Sequence, residues 1–146
     1  MEVQITMERR MPGLRSRTIR AKLKKALSGL GCHDRELSVL LTDDRRIAEL
    51  NEHYRGKKGP TNVLSFSMEE GEPAPSGQRM LGDVVISVET ALEESKKTAE
   101  PYERTVDRLL AHGILHLLGY DHERSAQEAR RMRREEKKVI AWMEEE

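Results

Sequence analysis

Cysteine is almost missing from this chain and aromatic rings are few: one Cys, one Phe, one Trp and three Tyr among 146 residues. Cys32 therefore has no internal disulfide partner, and no Cys-x-x-Cys pair is available to hold a metal, so the histidines stand alone as ligand candidates. The rings are too few and too scattered to form an aromatic stacking strip. Neither sign of charge dominates, with 26 Lys and Arg against 26 Asp and Glu, so whole-chain electrostatics say nothing for nucleic acid. No apolar run reaches membrane-spanning length and no signal-peptide pattern opens the sequence. No membrane partner is expected, and the cytoplasm is the default compartment. The length suits one domain with a real core and is short for two, so residues 1–146 are expected to form a single domain.

Charge is nonetheless uneven. Arg9, Arg10, Arg15, Arg17, Arg20, Lys22, Lys24 and Lys25 crowd one segment against the single acid Glu8. Such a run either meets phosphate or is a solvated helix face, and the sequence leaves both open. Alternation of Val3 and Ile5 predicts a first strand over residues 3–6. Leu14, Ile19, Leu23, Ala26, Leu27 and Leu30 recur at helical spacing and predict a helix over 15–30. A buried strand is expected over 37–41, then a helix capped by Asp43 with Ile47 and Leu50 inward. Strands follow over 62–66 and 83–88, separated by a Gly- and Pro-rich loop at 69–79. Ser87 caps a helix to about 98, Pro101 suits the first turn of a helix reaching 118, and a last helix covers about 125–143. Met132 and Trp142 on that helix read as core filler. The order is β-α-β-α-β-β-α-α-α. It predicts an α+β fold, a small mixed four-stranded sheet covered by helices.

Residues 112–122, His-Gly-Ile-Leu-His-Leu-Leu-Gly-Tyr-Asp-His, carry the chemistry. His112 and His116, four apart, share one face of a helix. Gly119 suits the left-handed turn just past the helix end, from which the chain can bring His122 back to the same point. Around the two helical histidines the sequence is apolar on all sides, which predicts a buried helix. Unpartnered imidazoles would be costly there, and a shared metal satisfies them. Three imidazoles with one vacant position form the arrangement of a catalytic zinc, whose open vertex holds the water to be activated. One zinc ion on His112, His116 and His122, at the C-terminal end of the buried helix, is the expected cofactor.

The spacing His-x3-His-x5-His, with its Gly before the last His, follows the long zincin pattern, except that Gly113 stands where those peptidases carry a glutamate base. Peptide hydrolysis by that route is therefore disfavoured. The metal would still lower the pKa of its water to about 7. Phosphodiester hydrolysis then needs a cation for the charge growing on phosphate. Arg55 and Lys57, in Tyr-Arg-Gly-Lys-Lys, are the candidates; the other reading makes them ordinary surface residues. Asp121 either orients a ligand histidine or caps the turn after Gly119. Asn62 and Ser65 could bond near the metal, with structural roles in a strand the safer expectation. His33 and His53 lack a partner at ligand spacing and read as surface residues.

Residues 112–122 resemble the His-Gly-x-Leu-His-Leu-x-Gly-Tyr-Asp-His signature of the YbeY family of bacterial endoribonucleases and rRNA maturation factors. Tyr54-Arg55-Gly56-Lys57 leading to Pro60-Thr61-Asn62-Val63-Leu64-Ser65-Phe66, and Leu81-Gly82-Asp83-Val84-Val85-Ile86-Ser87, resemble two further family segments. The resemblance implies an α+β fold with a four-stranded sheet, zinc on the three histidines and a functional arginine at Arg55. It also implies a metal-dependent endoribonuclease acting on single-stranded RNA, the 16S rRNA precursor, with a role in 3′-end maturation and quality control of the small ribosomal subunit. Two other classes stay in play: a ribosome-assembly binding protein with a mainly structural zinc, and a metal-dependent hydrolase of another class. With so few rings, RNA would be held mainly through phosphate.

Overall fold

A computed structural model of the chain describes residues 1–68 and 79–145. The elements follow one another as β1 (Glu2–Met7), α1 (Ser16–Gly29), β2 (Arg35–Thr42), α2 (Asp44–Arg55), β3 (Val63–Ser67), β4 (Arg79–Ser87), α3 (Val88–Thr98), α4 (Tyr102–Leu117) and α5 (Ala126–Glu144). The expected order and fold class are both present. The four strands lie in the order β1-β2-β4-β3. Pairing is parallel between β1 and β2 and between β2 and β4, then antiparallel between β4 and β3, which makes the sheet mixed.

Strand alternation sorts the core into two unequal parts. Leu37, Val39 and Leu41 of β2, with Val84 and Ile86 of β4, face the large cluster built with α1, α4 and α5. Val85 and Leu64 point the other way, onto Ile47 of α2, where the half-buried Leu40, Leu50 and Phe66 complete a small second cluster. Caps were readable in advance. Asp43 accepts a hydrogen bond from the Arg46 N–H, and Ser87 accepts one from Thr90. Each satisfies a backbone donor that the first helical turn cannot.

Two expectations need adjustment. Strand β4 begins at Arg79 rather than at residue 83, because Arg79 and Met80 already pair with Arg35 and Glu36 of β2. Val88 belongs to α3, not to the strand. The expected loop at 69–79 falls outside the described residues except for Arg79. The basic segment around α1 does not border the histidine site. Its Lys22 pairs with Asp107 of α4 at 2.9 Å, and Arg20 donates to the Val3 carbonyl at 3.3 Å. Among the described residues, no helix is long and apolar enough to cross a membrane.

Candidate metal centre

The site grows from the end of α4. This helix is buried along most of its length between the sheet and helices α3 and α5, as its apolar sequence requires. His112 and His116 lie one turn apart with ring centroids 4.6 Å from each other. Beyond Leu118 the Gly119 N–H bonds to the His116 carbonyl at 3.0 Å, and the Tyr120 N–H bonds to that of Leu115 at 3.0 Å. These two bonds close a Schellman turn, which needs a left-handed residue at the position of Gly119, whose φ is +96°. The reversed chain carries His122 back, so its ring centroid lies 5.1 Å from that of His112 and 5.4 Å from that of His116.

One ligand nitrogen from each of the three rings lies within 4.8 Å of the others. The His112 and His116 Nε2 atoms approach to 3.0 Å. Tetrahedral coordination at a Zn–N length of 2.0–2.1 Å sets neighbouring nitrogens about 3.3 Å apart. The helical pair lies close to that spacing, and the His122 ligand nitrogen is within 4.8 Å of both. The donor set therefore fits a single metal ion. Among the described residues no further His, Cys, Asp or Glu joins the cluster.

A carboxylate orients the innermost histidine of the cluster. His112 Nδ1 lies 2.5 Å from Glu136 Oε1 on α5, with both side chains mostly buried. A carboxylate only accepts, so the proton sits on Nδ1 and the Nε2 lone pair is left facing His116 and His122. His116 is pushed below the ordinary histidine range, first by burial and then by the adjacent His112 and His122 rings. That push keeps its ring neutral, which is the ligating form. Asp121 follows the turn-capping reading: its Oδ1 accepts from the Glu123 N–H at 2.8 Å, and its Oδ2 lies 3.4 Å from Arg124 Nε. The Glu123 hydrogen bond is also the main reason its carboxyl is held below the ordinary range.

Gly113 has a role that its sequence position concealed. A Cβ there would stand 2.7 Å from Val84 Cγ1 and 3.1 Å from Ser65 Oγ, both in the sheet. Ser65 Oγ donates to the Gly113 carbonyl at 2.9 Å, stitching the helix to β3. The position after the first histidine is thus pressed against the sheet and leaves no room for a side chain, least of all a glutamate reaching the histidine cluster. Asn62 is likewise structural, donating to Glu94 at 2.9 Å.

The cluster opens into a cleft of about 740 Å³ bordered by Arg55, Lys57, Asn62, Ser65, Tyr120 and Arg124. Arg55 and Lys57 are exposed, at the point where α2 ends in the left-handed Gly56. Both sequence-selected cations therefore border the same cleft as the histidines. His33 and His53 are exposed and outside it. Glu136 and Arg124 escaped the sequence reading. The signal for Glu136 was present: it falls four residues from both Met132 and Ile140, on the buried stripe of α5. Nothing local marks Arg124.

The sequence profile described as Endoribonuclease YbeY matches residues 4–144. The Endoribonuclease YbeY of Geobacter metallireducens is 43% identical over 147 aligned residues, which cover 100% of this chain and 98% of the relative. That of Aquifex aeolicus is 49% identical over 116 residues, 80% of this chain and 75% of the relative. The solution structure of TM1509 from Thermotoga maritima shares the fold with a TM-score of 0.66 at 26% identity, over 97% of this chain and 88% of that one. A match across almost the whole length, with relatives at these identities, means that the chain belongs to the endoribonuclease YbeY family.

Proposed function

We propose that this chain is a single-domain, zinc-dependent endoribonuclease of the cytoplasm that cuts single-stranded RNA, serving 16S rRNA 3′-end maturation and quality control of the small ribosomal subunit. The observation that carries the reading is the convergence of three imidazole nitrogens in a cleft that Arg55 and Lys57 also border. His112, His116 and His122 would hold the ion, and zinc supplies a water acidified to a pKa of about 7. Glu136 keeps the His112 proton on Nδ1, so the ring offers its Nε2 lone pair. Arg55 meets the scissile phosphate and stabilises the charge that grows on its oxygens as the P–O bond breaks, with Lys57 assisting. The opening of the cluster into the cleft favours a hydrolytic over a purely structural ion, and the close fit at Gly113 disfavours a peptidase of the glutamate type.

Cleavage of an unstructured RNA by the zinc-loaded protein is the test. Arg55→Ala is expected to lower the rate about 100- to 1,000-fold while zinc content is unchanged. His116→Ala is expected to lose the zinc. Equal metal in wild type and His116→Ala would overturn the ligand assignment, and unchanged cleavage by Arg55→Ala would remove that arginine from the mechanism.

A further inference from the structure

The chain has few rings, yet the fold gathers three of them where the end of α2 meets β3. Tyr54, the penultimate residue of α2, is 62% exposed, more than any other large hydrophobic side chain among the described residues. Its ring rests on Phe66 of β3, centroids 5.1 Å apart at 59°, and His53 meets it edge-on at 4.5 Å. Phe66 is anchored in turn on the small cluster of Ile47, Leu64 and Val85. The other two tyrosines are engaged elsewhere: Tyr102 donates its hydroxyl to the Val88 carbonyl, and Tyr120 lies under Arg131.

This ring is held from behind and open in front. It stands next to the cleft-lining Arg55, across the strand β3 from the cleft's serines. Phe66 and Tyr54 lie on the α2 side of β3, Ser65 and Ser67 face the cleft from its other side, and Arg55, which directly follows Tyr54, borders the cleft. We infer that Tyr54, backed by Phe66, is a stacking platform for one unpaired nucleobase of the RNA strand whose phosphate lies against Arg55 and Lys57. The inference rests on the proposed nuclease function. An aromatic face beside cations is the usual means of holding a single strand, because every base offers a π face and every nucleotide a phosphate. The neighbouring Arg55, Lys57 and Lys58 favour nucleic acid over an apolar protein partner as the occupant. A base inside a duplex is already stacked and cannot take this position, so the platform would select unpaired RNA.

The test measures binding of a single-stranded RNA carrying 2-aminopurine, and its cleavage, by the zinc-loaded wild type and by Tyr54→Ala, Tyr54→Leu and Tyr54→Phe. Tyr54→Ala is expected to weaken binding about 5- to 100-fold. KM should rise with kcat little changed, and the slope of log K against log salt should stay at the wild-type value because no phosphate contact is lost. Tyr54→Phe should retain binding and the fluorescence quenching of a stacked base, whereas Tyr54→Leu should lose both. Wild-type binding by Tyr54→Ala overturns the platform and leaves the nuclease reading intact. Full binding by Tyr54→Leu also overturns it, since a merely apolar contact, as a protein partner would make, needs no ring. Failure of the wild type to bind or cut the RNA removes the nuclease reading and the platform with it.

Discussion

Replacing Gly113 by alanine adds one methyl group at the place where α4 comes nearest the sheet. The new carbon would meet Val84 Cγ1 at 2.7 Å and Cγ2 at 3.1 Å, against an ordinary carbon contact of about 3.5–4.0 Å. Val84 is fully buried and cannot swing away, so helix and strand must part by up to about 1 Å. Overpacking of this kind costs about 1–3 kcal/mol. Separation also strains the bond from Ser65 Oγ to the Gly113 carbonyl, worth about 1 kcal/mol. Alanine returns about 1 kcal/mol through its helix propensity. The expected net loss is about 1–3 kcal/mol, seen in a thermal melt as a fall of roughly 3–10 °C for a chain of this size. Val84→Ala in the same chain makes room for the methyl, so the double variant should be more stable than the two single losses predict, by at least about 1 kcal/mol. Additive losses, or a melting temperature at or above wild type in Gly113→Ala, would refute this account of the helix–sheet contact.

Glu136→Ala should weaken metal binding about 10- to 100-fold in a chelator competition, with Glu136→Gln nearer to wild type because its carbonyl oxygen still accepts from His112; wild-type affinity in the alanine variant would show that the carboxylate does not orient the ligand. Lys22→Ala should destabilise the protein by about 2–3 kcal/mol at neutral pH, since it strands the Asp107 carboxylate in the interior without its partner. Burial already holds the Asp107 carboxyl above the usual carboxylate range, with Lys22 opposing. Its folded-state pKa thus exceeds the unfolded one, so the native state takes up the extra proton as pH falls. The loss in Lys22→Ala should therefore shrink on acidification from neutral pH through the folded pKa. A loss that grows instead, in urea melts across that range, would reverse the assignment.

What could be read from the chain beforehand was local in origin. His112, His116, Gly119 and His122 lie within eleven residues, and helix periodicity plus one left-handed turn is enough to bring them together. Asp43 and Ser87 likewise reach only three residues ahead to cap their helices. Contacts made by packing were another matter. Glu136 is 24 residues from His112, and its role depends on how α5 crosses α4. Gly113 looked like a missing base because sequence shows which side chain is lacking but not which wall stands in front of it. Tyr54 and Phe66 seemed isolated because α2 and β3 meet only through the sheet order, in which β3 runs antiparallel at the edge beside β4. The early start of β4 depended on its partner β2 in the same way.

The three imidazoles come from two stretches of chain on either side of a helix end, and Glu136 brings in a third. An ion seated among them would therefore be a rivet as well as a reagent. It would tie the end of α4, the returning turn and the middle of α5, a tie lost on unfolding. Each tenfold rise in free ion above its dissociation constant should then make the folded chain about 1.4 kcal/mol harder to undo. Thermal endurance in this protein would work as a gauge of available metal, with starvation for the ion shortening its lifetime before any RNA is met.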